Sequence, residues 1–112
     1  MAEKISGKIN DGIIICHSPH TTAGLLINEH ADPDVAADIE NLFSKLVPHN
    51  FNYAHMEGNS DAHIKSVLTG CQIILIIEDG KIQLGRWQGV FFAEFDGPRT
   101  REVWLKIISN KN

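Results

Sequence analysis

CQIILIIEDGKIQLG, residues 71–85, carries the strongest fold signal in this chain. It begins with a run of apolar and β-branched residues, continues with Asp79 and Gly80, and ends in a shorter alternating run. A two-residue Asp-Gly loop supplies the positive backbone angles that a type I′ turn needs. The stretch therefore predicts a β-hairpin with strands at residues 71–78 and 81–85.

Four further apolar runs predict the rest of the strands. They are residues 13–16 (IIIC), 23–28 (AGLLIN), 90–95 (VFFAEF) and 102–108 (EVWLKII). The first is typical of a strand buried on both faces. In the last strand, Val103, Leu105 and Ile107 alternate with Trp104, Lys106 and Ile108. The second set would lie on the face opposite the first, so that face is not fully polar. We expect it to pack on something, and a partner subunit is one candidate.

Two helices are expected between the strands. Asp32 is suited to cap the first, Pro33 suits its first position, and Pro48 ends it. Its apolar residues recur with a helical period: Val35, Ile39, Leu42, Phe43 and Leu46. A polar loop at residues 49–60 follows, after which Asp61 is interpreted as the cap of a short helix closed by Gly70.

Composition restricts the class of protein. The chain has 112 residues, of which 43% are hydrophobic, and we expect a single domain over residues 1–112. The net charge of -4 and the scattered Lys and Arg residues argue against a nucleic-acid partner. The longest apolar run, residues 73–77, is too short to span a membrane. Cys16 and Cys71 lie in apolar runs without an export signal, so we expect reduced core residues of a cytoplasmic protein.

Six histidines all precede residue 64: His17, His20, His30, His49, His55 and His63. Three neutral imidazoles are enough for a catalytic site of the zinc type that leaves one position open. With Asp61 as a cap, His63 would lie in the first helical turn, where the helix dipole keeps the ring neutral. His20 is followed by two Thr hydroxyls that can hold its tautomer. Taken singly, each histidine also fits a solvated or structural role.

Carboxylates accompany these histidines in two groups. Asp32 and Asp61 each have helix capping as an alternative to a chemical role. Glu57 has no capping position, and it lies two residues from His55 in a loop that contains Gly and Asn. A carboxylate there can orient a ligand or act as a general base, with an exposed loop charge as the alternative.

The stretch between Gly85 and Gly89 is unusual because Trp87 and Gln88 stand between glycines. It predicts either a bulge with Trp87 in the core or the wall of a pocket. In a pocket, Gln88 with Arg86 and Lys65 would hold an anionic or heteroaromatic ligand.

Several motifs follow one another along the chain: HTTAGLLINEHADPDV at 20–35, YAHME at 53–57, EGNSDAHIKSVLTG at 57–70, RWQG at 86–89 and FFAEFDGPRTREV at 91–103. Taken together and in this order, they resemble the YjbQ-like family, also called the secondary thiamine-phosphate synthase family. The resemblance covers residues 12–108. It implies an α+β fold of two packed, mostly antiparallel β-sheets with one long and one short helix. It also implies a homotrimer with a metal bound by histidines near a subunit boundary. The family's opening N-terminal strand has no counterpart here, which we expect to expose a sheet edge.

Carried over position by position, the resemblance implies three metal ligands, His20, His55 and His63, and gives no ligand role to His17 or His30. The implied catalytic carboxylates are Glu57, Glu29 and Asp32. The residues expected to bind substrate are Asn28, Gly58, Lys65, Arg86, Trp87 and Gln88. Arg86 stands where the family usually has Thr, which adds a cation beside the expected pocket.

The activity implied by the resemblance joins a pyrimidine methyl diphosphate to a thiazole phosphate with loss of pyrophosphate. A divalent metal, zinc or else magnesium, and cationic side chains would stabilise the diphosphate, while Trp87 stacks on the pyrimidine and Glu57 accepts a proton. Two alternatives are a metal-dependent hydrolase of a small phosphate or amide, with Glu57 as base, and a non-catalytic trimer that binds a metal or ligand.

Overall fold

The computed structural model describes residues 9–110, which form six strands and two helices. In chain order the elements are β1 (Gly12–His17), β2 (Ala23–Glu29), α1 (Pro33–Leu46), α2 (Ser60–Thr69), β3 (Gln72–Glu78), β4 (Lys81–Gln83), β5 (Gln88–Glu94) and β6 (Trp104–Ser109). The strands form two antiparallel sheets, so the α+β class with one long and one short helix is confirmed.

The larger sheet has four antiparallel strands in the order β4-β3-β1-β6. Ile14 of β1 pairs with Leu75 of β3 on one side and with Ile107 of β6 on the other. Because side chains of a strand alternate between faces, these three residues share the inner face. The buried core on that side consists of Ile14, Cys16, Leu25, Leu75 and Ile77.

The smaller sheet contains β2 and β5, with Leu26 opposite Phe91. Leu25 of β2 belongs to the core of the larger sheet, so the two sheets pack through the inner side of β2. The other edge of β2 lies against the end of α2, where the Ser66 hydroxyl donates to the Ala23 carbonyl at 2.8 Å. A Cβ at Gly24 would lie 1.9 Å from the Thr69 hydroxyl, so this close approach requires glycine.

The predicted hairpin between β3 and β4 is confirmed. Asp79 and Gly80 have φ values of 52° and 72°, which are the two positive angles that a type I′ turn needs. The Gly80 amide also donates to the Asn10 carbonyl at 3.0 Å, which attaches the turn to the chain before β1.

Helix α1 begins as the sequence predicts. The Asp32 carboxylate accepts a hydrogen bond from the Asp34 amide at 2.9 Å, and Pro33 is the first helical residue. None of the residues of α1 is buried, and Leu46 is 65% exposed, so its apolar side is only partly covered. In the part of the chain that the structure describes, no helix is long and apolar enough to cross a membrane.

Helix α2 corrects the expectation that Asp61 is a cap. The cap residue is Asn59, and Asp61 lies in the first turn with its side chain buried. Its carboxylate binds Lys65 one turn later and His49 across the preceding loop, so it is not available to the backbone. His63 is consequently the fourth helical residue, and its amide already donates to the Asn59 carbonyl at 3.3 Å. The predicted end at Gly70 is confirmed.

Two expectations about burial are wrong. Cys16 is buried in the core, and burial raises the pKa of its thiol, but Cys71 is exposed because it precedes β3 at the sheet surface. The run at residues 13–16 is not buried on both faces. Ile14 and Cys16 are buried, whereas Ile13 and Ile15 point to the opposite side and are only half-buried.

That opposite side is an uncovered apolar surface, which we call the outer sheet face. The strand register places these apolar residues on it: Ile13, Ile15, Ile74, Ile76, Trp104 and Ile108. The same register places Lys106 opposite Ile15, and His17 opposite both Trp104 and Gln72, so the face also carries polar side chains. Ile74 is 60% exposed and Trp104 is 55% exposed. Among residues 9–110 no further layer covers this face, and the radius of gyration is 16.2 Å where about 13 Å is usual for a chain of this length.

An ionic cluster joins β5 to the loop before β6. The Arg101 guanidinium donates to both oxygens of Glu94 and, at 2.9 Å, to the hydroxyl of Thr22. These hydrogen bonds outweigh the opposing effect of burial and lower the pKa of Glu94 to about 2 from its usual 4.5. The cluster therefore ties together three segments that are far apart in sequence.

Replacing Glu94 with Gln should lower the free energy of unfolding at neutral pH by about 1 kcal/mol, because a partly exposed, charge-assisted contact is lost. The folded pKa of about 2 lies below the unfolded value of 4.5. The stabilisation is therefore complete above pH 4.5 and is lost as the pH falls towards 2. Urea unfolding of the wild type and Glu94→Gln at pH 7 and pH 3 measures this. The difference between their free energies of unfolding should be smaller at pH 3 than at pH 7. Asp38→Asn, on the exposed side of α1, is the charge-matched control; an equal loss there would contradict the assignment.

Candidate functional site

A pair of histidines at the start of α2 is the clearest candidate site. His55 lies in the loop before the helix and His63 in its first turns, with ring centroids 5.4 Å apart and ring planes at 85°. Two imidazoles bound to one tetrahedral ion, with metal–nitrogen distances near 2.1 Å, have centroids about 5 Å apart. The distance and angle are those of an edge-to-face ring pair. The distance is also close to that between two ligands of one metal ion.

Glu57 lies beside this pair. Its carboxylate oxygen Oε1 is 3.5 Å from Nε2 of His55, within reach of an ionic contact. Gly58, which follows, has a φ of 81°, and a Cβ added there would meet no atom within 4 Å. The backbone angle, not crowding, therefore favours glycine at this position. The turn at Gly58 allows the loop to return from Glu57 to α2 with His63.

His20, the third predicted ligand, has a different environment. Its Nε2 accepts a hydrogen bond from the Glu102 amide at 2.9 Å, next to the start of β6. Within residues 9–110, no three His, Cys, Asp or Glu side chains are grouped closely enough to hold a metal ion. A single chain thus brings two of the three predicted ligands together and leaves His20 apart from them.

The segment from Gly85 to Gln88 forms a tight turn. The Gln88 side chain accepts the Gly85 amide at 2.8 Å, and the Arg86 guanidinium lies 4.8 Å from the centre of the Trp87 ring. Trp87 is 55% exposed, so it is not a core residue. Its carbonyl accepts from the amide of His30, which holds the turn against the end of β2. The turn therefore presents an exposed aromatic ring with a cation on one side.

Two of the predicted carboxylates stabilise the start of α1. Glu29 accepts the Asp32 amide at 2.7 Å, and Asp32 accepts the Asp34 amide. The capping alternative for Asp32 is the geometry that the structure shows. Asn28 accepts the amide of Glu29 at 2.6 Å.

A cavity of about 490 Å³ separates α1 from the β2–β5 sheet. It contains three of the predicted site residues: Asn28, Glu29 and Lys65. Phe91 and neighbouring residues of β5 form one wall, and residues of α1 form the other. None of the histidines, Glu57 or Trp87 lines it, so the predicted site residues are divided among several places.

The α1 wall of this cavity was not predicted from the sequence. Ala36, Glu40, Phe43 and Ser44 share one side of the helix, at spacings of four, seven and eight residues. The sequence signal that could have indicated this wall is Glu40, which shares one side of the helix with small and aromatic residues. Phe43 of α1 and Phe95, just after β5, both line the cavity, and their ring centroids are 6.4 Å apart.

His49 was also not assigned a role, and its largely exposed ring is bound to the buried carboxylate of Asp61. The Asp61 carboxylate binds Nδ1 of His49 at 3.0 Å and Nζ of Lys65 at 3.1 Å. Burial raises the pKa of Asp61, but the hydrogen bonds and charges of both partners outweigh it and hold the pKa below its usual value. The Lys65 side chain is 13% exposed and lines the cavity. Its charge is balanced by the carboxylate of Asp61 at 3.1 Å.

The geometry defines a small α+β protein with a histidine pair and a separate cavity. The sequence profile of the UPF0047 protein YjbQ-like family matches residues 1–110. A UPF0047 protein of Methanocaldococcus jannaschii is 62% identical over 104 residues, covering 93% of this chain and 75% of the relative. The UPF0047 protein YugU of Bacillus subtilis is 47% identical, covering 89% of this chain and 76% of the relative.

Solved structures agree with this relationship. An uncharacterised yjbq/upf0047 protein of Clostridium acetobutylicum is 51% identical with a TM-score of 0.92, covering 95% of this chain and 84% of the other. A YbjQ-like protein of unknown function from Sulfolobus solfataricus is 28% identical with a TM-score of 0.89, covering 96% and 80%. This chain belongs to the YjbQ-like UPF0047 family.

Proposed function

We propose that this protein is a metal-dependent enzyme in which His55 and His63 of one subunit and His20 of another hold a divalent ion. The observation that carries the proposal is the 5.4 Å separation of the His55 and His63 rings. The donors are imidazoles, which suit zinc, whereas magnesium would depend on Glu57 and on substrate oxygens. A third ligand from a second subunit accounts for a pair that is incomplete within residues 9–110.

The outer sheet face supports an assembly of identical subunits. It presents several isoleucines and Trp104 to solvent on the side of the sheet opposite the core. Lys106 lies on the same face, opposite Ile15, but most of the exposed side chains there are apolar. An exposed surface that is largely apolar is unfavourable on an isolated small domain and marks a contact surface. The resemblance to the YjbQ-like family implies three subunits, and a homotrimer is the assembly that we propose.

The proposed reaction joins a pyrimidine methyl diphosphate to a thiazole phosphate. The bond between the methylene carbon and the diphosphate breaks, and a bond to the thiazole nitrogen forms. A divalent ion would supply positive charge for the departing diphosphate. The turn at Arg86 supports this chemistry, because the free side of Trp87 can stack on a pyrimidine while the guanidinium attracts an anion. Glu57 would orient His55 at the edge of the site.

Hydrolysis of a small phosphate or amide is a second candidate function. The observation that favours it is the carboxylate of Glu57 at 3.5 Å from His55, since a carboxylate beside a metal ligand is placed to accept a proton from water.

The metal site is tested by metal content after dialysis. Wild-type protein should retain about one ion of the zinc type per set of three histidines, and His20→Ala, His55→Ala and His63→Ala should each lose most of it. His30→Ala is the matched control, because it removes an imidazole outside the proposed ligand set. Equal metal content in all five proteins would show that the proposed ligands are wrong.

The shared site is tested by disrupting the outer sheet face. Ile76→Lys places a charge at the centre of that face and should reduce the native mass to that of the 12.4 kDa chain. Metal content should fall with it, because His20 would no longer meet the histidine pair of another subunit. Asn41→Lys, on exposed helix α1, adds the same charge elsewhere and should change neither quantity. Native mass is measured by light scattering. If Ile76→Lys keeps the native mass of the wild-type assembly, the outer sheet face is not the interface.

Activity separates the candidate reactions. Metal-loaded protein is incubated with the two thiamine precursors, and separately with p-nitrophenyl phosphate and small amide substrates. Thiamine phosphate formed by wild type and reduced at least about a hundredfold in His63→Ala supports the transferase. Hydrolysis with the same dependence supports the second candidate instead. Absence of both turnovers in a protein that binds metal would contradict an enzymatic function and leave a metal-binding trimer.

A further inference from the structure

We propose that the cavity between α1 and the β2–β5 sheet binds a small organic cation that carries apolar or aromatic groups. The proposal is independent of the metal site, because no histidine lines this cavity. It rests on three observations, which concern the size of the cavity, its aromatic walls and its unbalanced negative charge.

The size of the cavity is that of a ligand site. Its volume of about 490 Å³ lies within the range of about 300 to 1,000 Å³ that small-molecule sites occupy. Helix α1 buries none of its residues, so the apolar side of this helix borders an open space and not a packed interior. A bound molecule would cover apolar surface that the described part of the chain leaves accessible.

The aromatic walls favour a cation. Phe43 of α1 and Phe95, just after β5, line the cavity and form a tilted ring pair with centroids 6.4 Å apart and planes at 35°. Phe91 of β5 adds a third ring to the lining. The faces of aromatic rings carry negative charge density and attract ammonium groups, most strongly where water is excluded.

The charged side chains that line the cavity also favour a cation. Lys65, its basic residue, is balanced by Asp61 at 3.1 Å, and Glu94 is balanced by Arg101. Glu29 and Glu40 also line the cavity, and within residues 9–110 neither has a basic side chain in ion-pair contact. The unbalanced charge is therefore negative, which disfavours an anion and stabilises a cation.

The test compares three probes that differ in charge. Benzyltrimethylammonium is the cation, 2,2-dimethylpropylbenzene has the same shape without the charge, and benzylphosphonate is an anion of similar size. Titrations followed by residue-resolved NMR should shift the signals of Phe43, Phe95 and Glu40 with the cation. We expect the cation to bind about tenfold more tightly than the neutral probe and the phosphonate to bind least.

Variants show whether the binding occurs in this cavity. Glu40→Gln should weaken binding of the cation about three- to tenfold, and Phe43→Leu should weaken it by a similar factor. Asp38→Asn removes the same charge from α1 at a residue outside the cavity lining and should leave the affinity unchanged. The proposal is overturned if the neutral probe or the phosphonate binds as tightly as the cation. It is equally overturned if no probe binds or if Asp38→Asn weakens binding as much as Glu40→Gln.

Discussion

The structure depends on one strand that is hydrogen-bonded along both edges. β1 pairs with β3 and with β6, so the positions of Ile14 and Cys16 in the core fix the register of three strands at once. The same alternation places Ile13 and Ile15 on the outer sheet face. The chain that leaves β1 carries His20, and the loop leading into β6 provides the amide that binds its ring. Core, outer face and the environment of His20 are therefore consequences of this double pairing.

The position of the histidine pair depends on a second close contact. Gly24 allows Thr69 and Gly70 to approach β2, and Ser66 donates to the Ala23 carbonyl, which fixes the end of α2. His63, nearer the other end of the helix, is then held by a rigid element. His55 and Glu57 are positioned by the loop, which is exposed and returns through the positive φ of Gly58.

Charges within the described chain form local pairs. Asp61 balances Lys65 and binds His49, while Glu94 balances Arg101. Lys65 and Arg101 are each paired with a carboxylate within the chain. The negative charge at the cavity therefore comes from Glu29 and Glu40. Lys65, which was expected to bind substrate, is paired with Asp61, and its role in binding substrate stays a prediction. The guanidinium of Arg86, beside the exposed Trp87 ring, is a positive charge that an anion can reach, and the metal ion that we propose would be a second one.

Elements whose causes are local could be predicted from the sequence alone. The Asp79–Gly80 turn, the start of α1 at Asp32 and Pro33 and the end of α2 at Gly70 follow from backbone angles and hydrogen bonds within a few residues. The family resemblance identified candidate ligands residue by residue, but not their distances. Tertiary structure alone decided that Asp61 binds His49, 12 residues away, that Cys71 is exposed, and that His20 lies apart from His55 and His63. Those outcomes depend on which distant segments pack together, and local propensity and spacing carry no information about that packing.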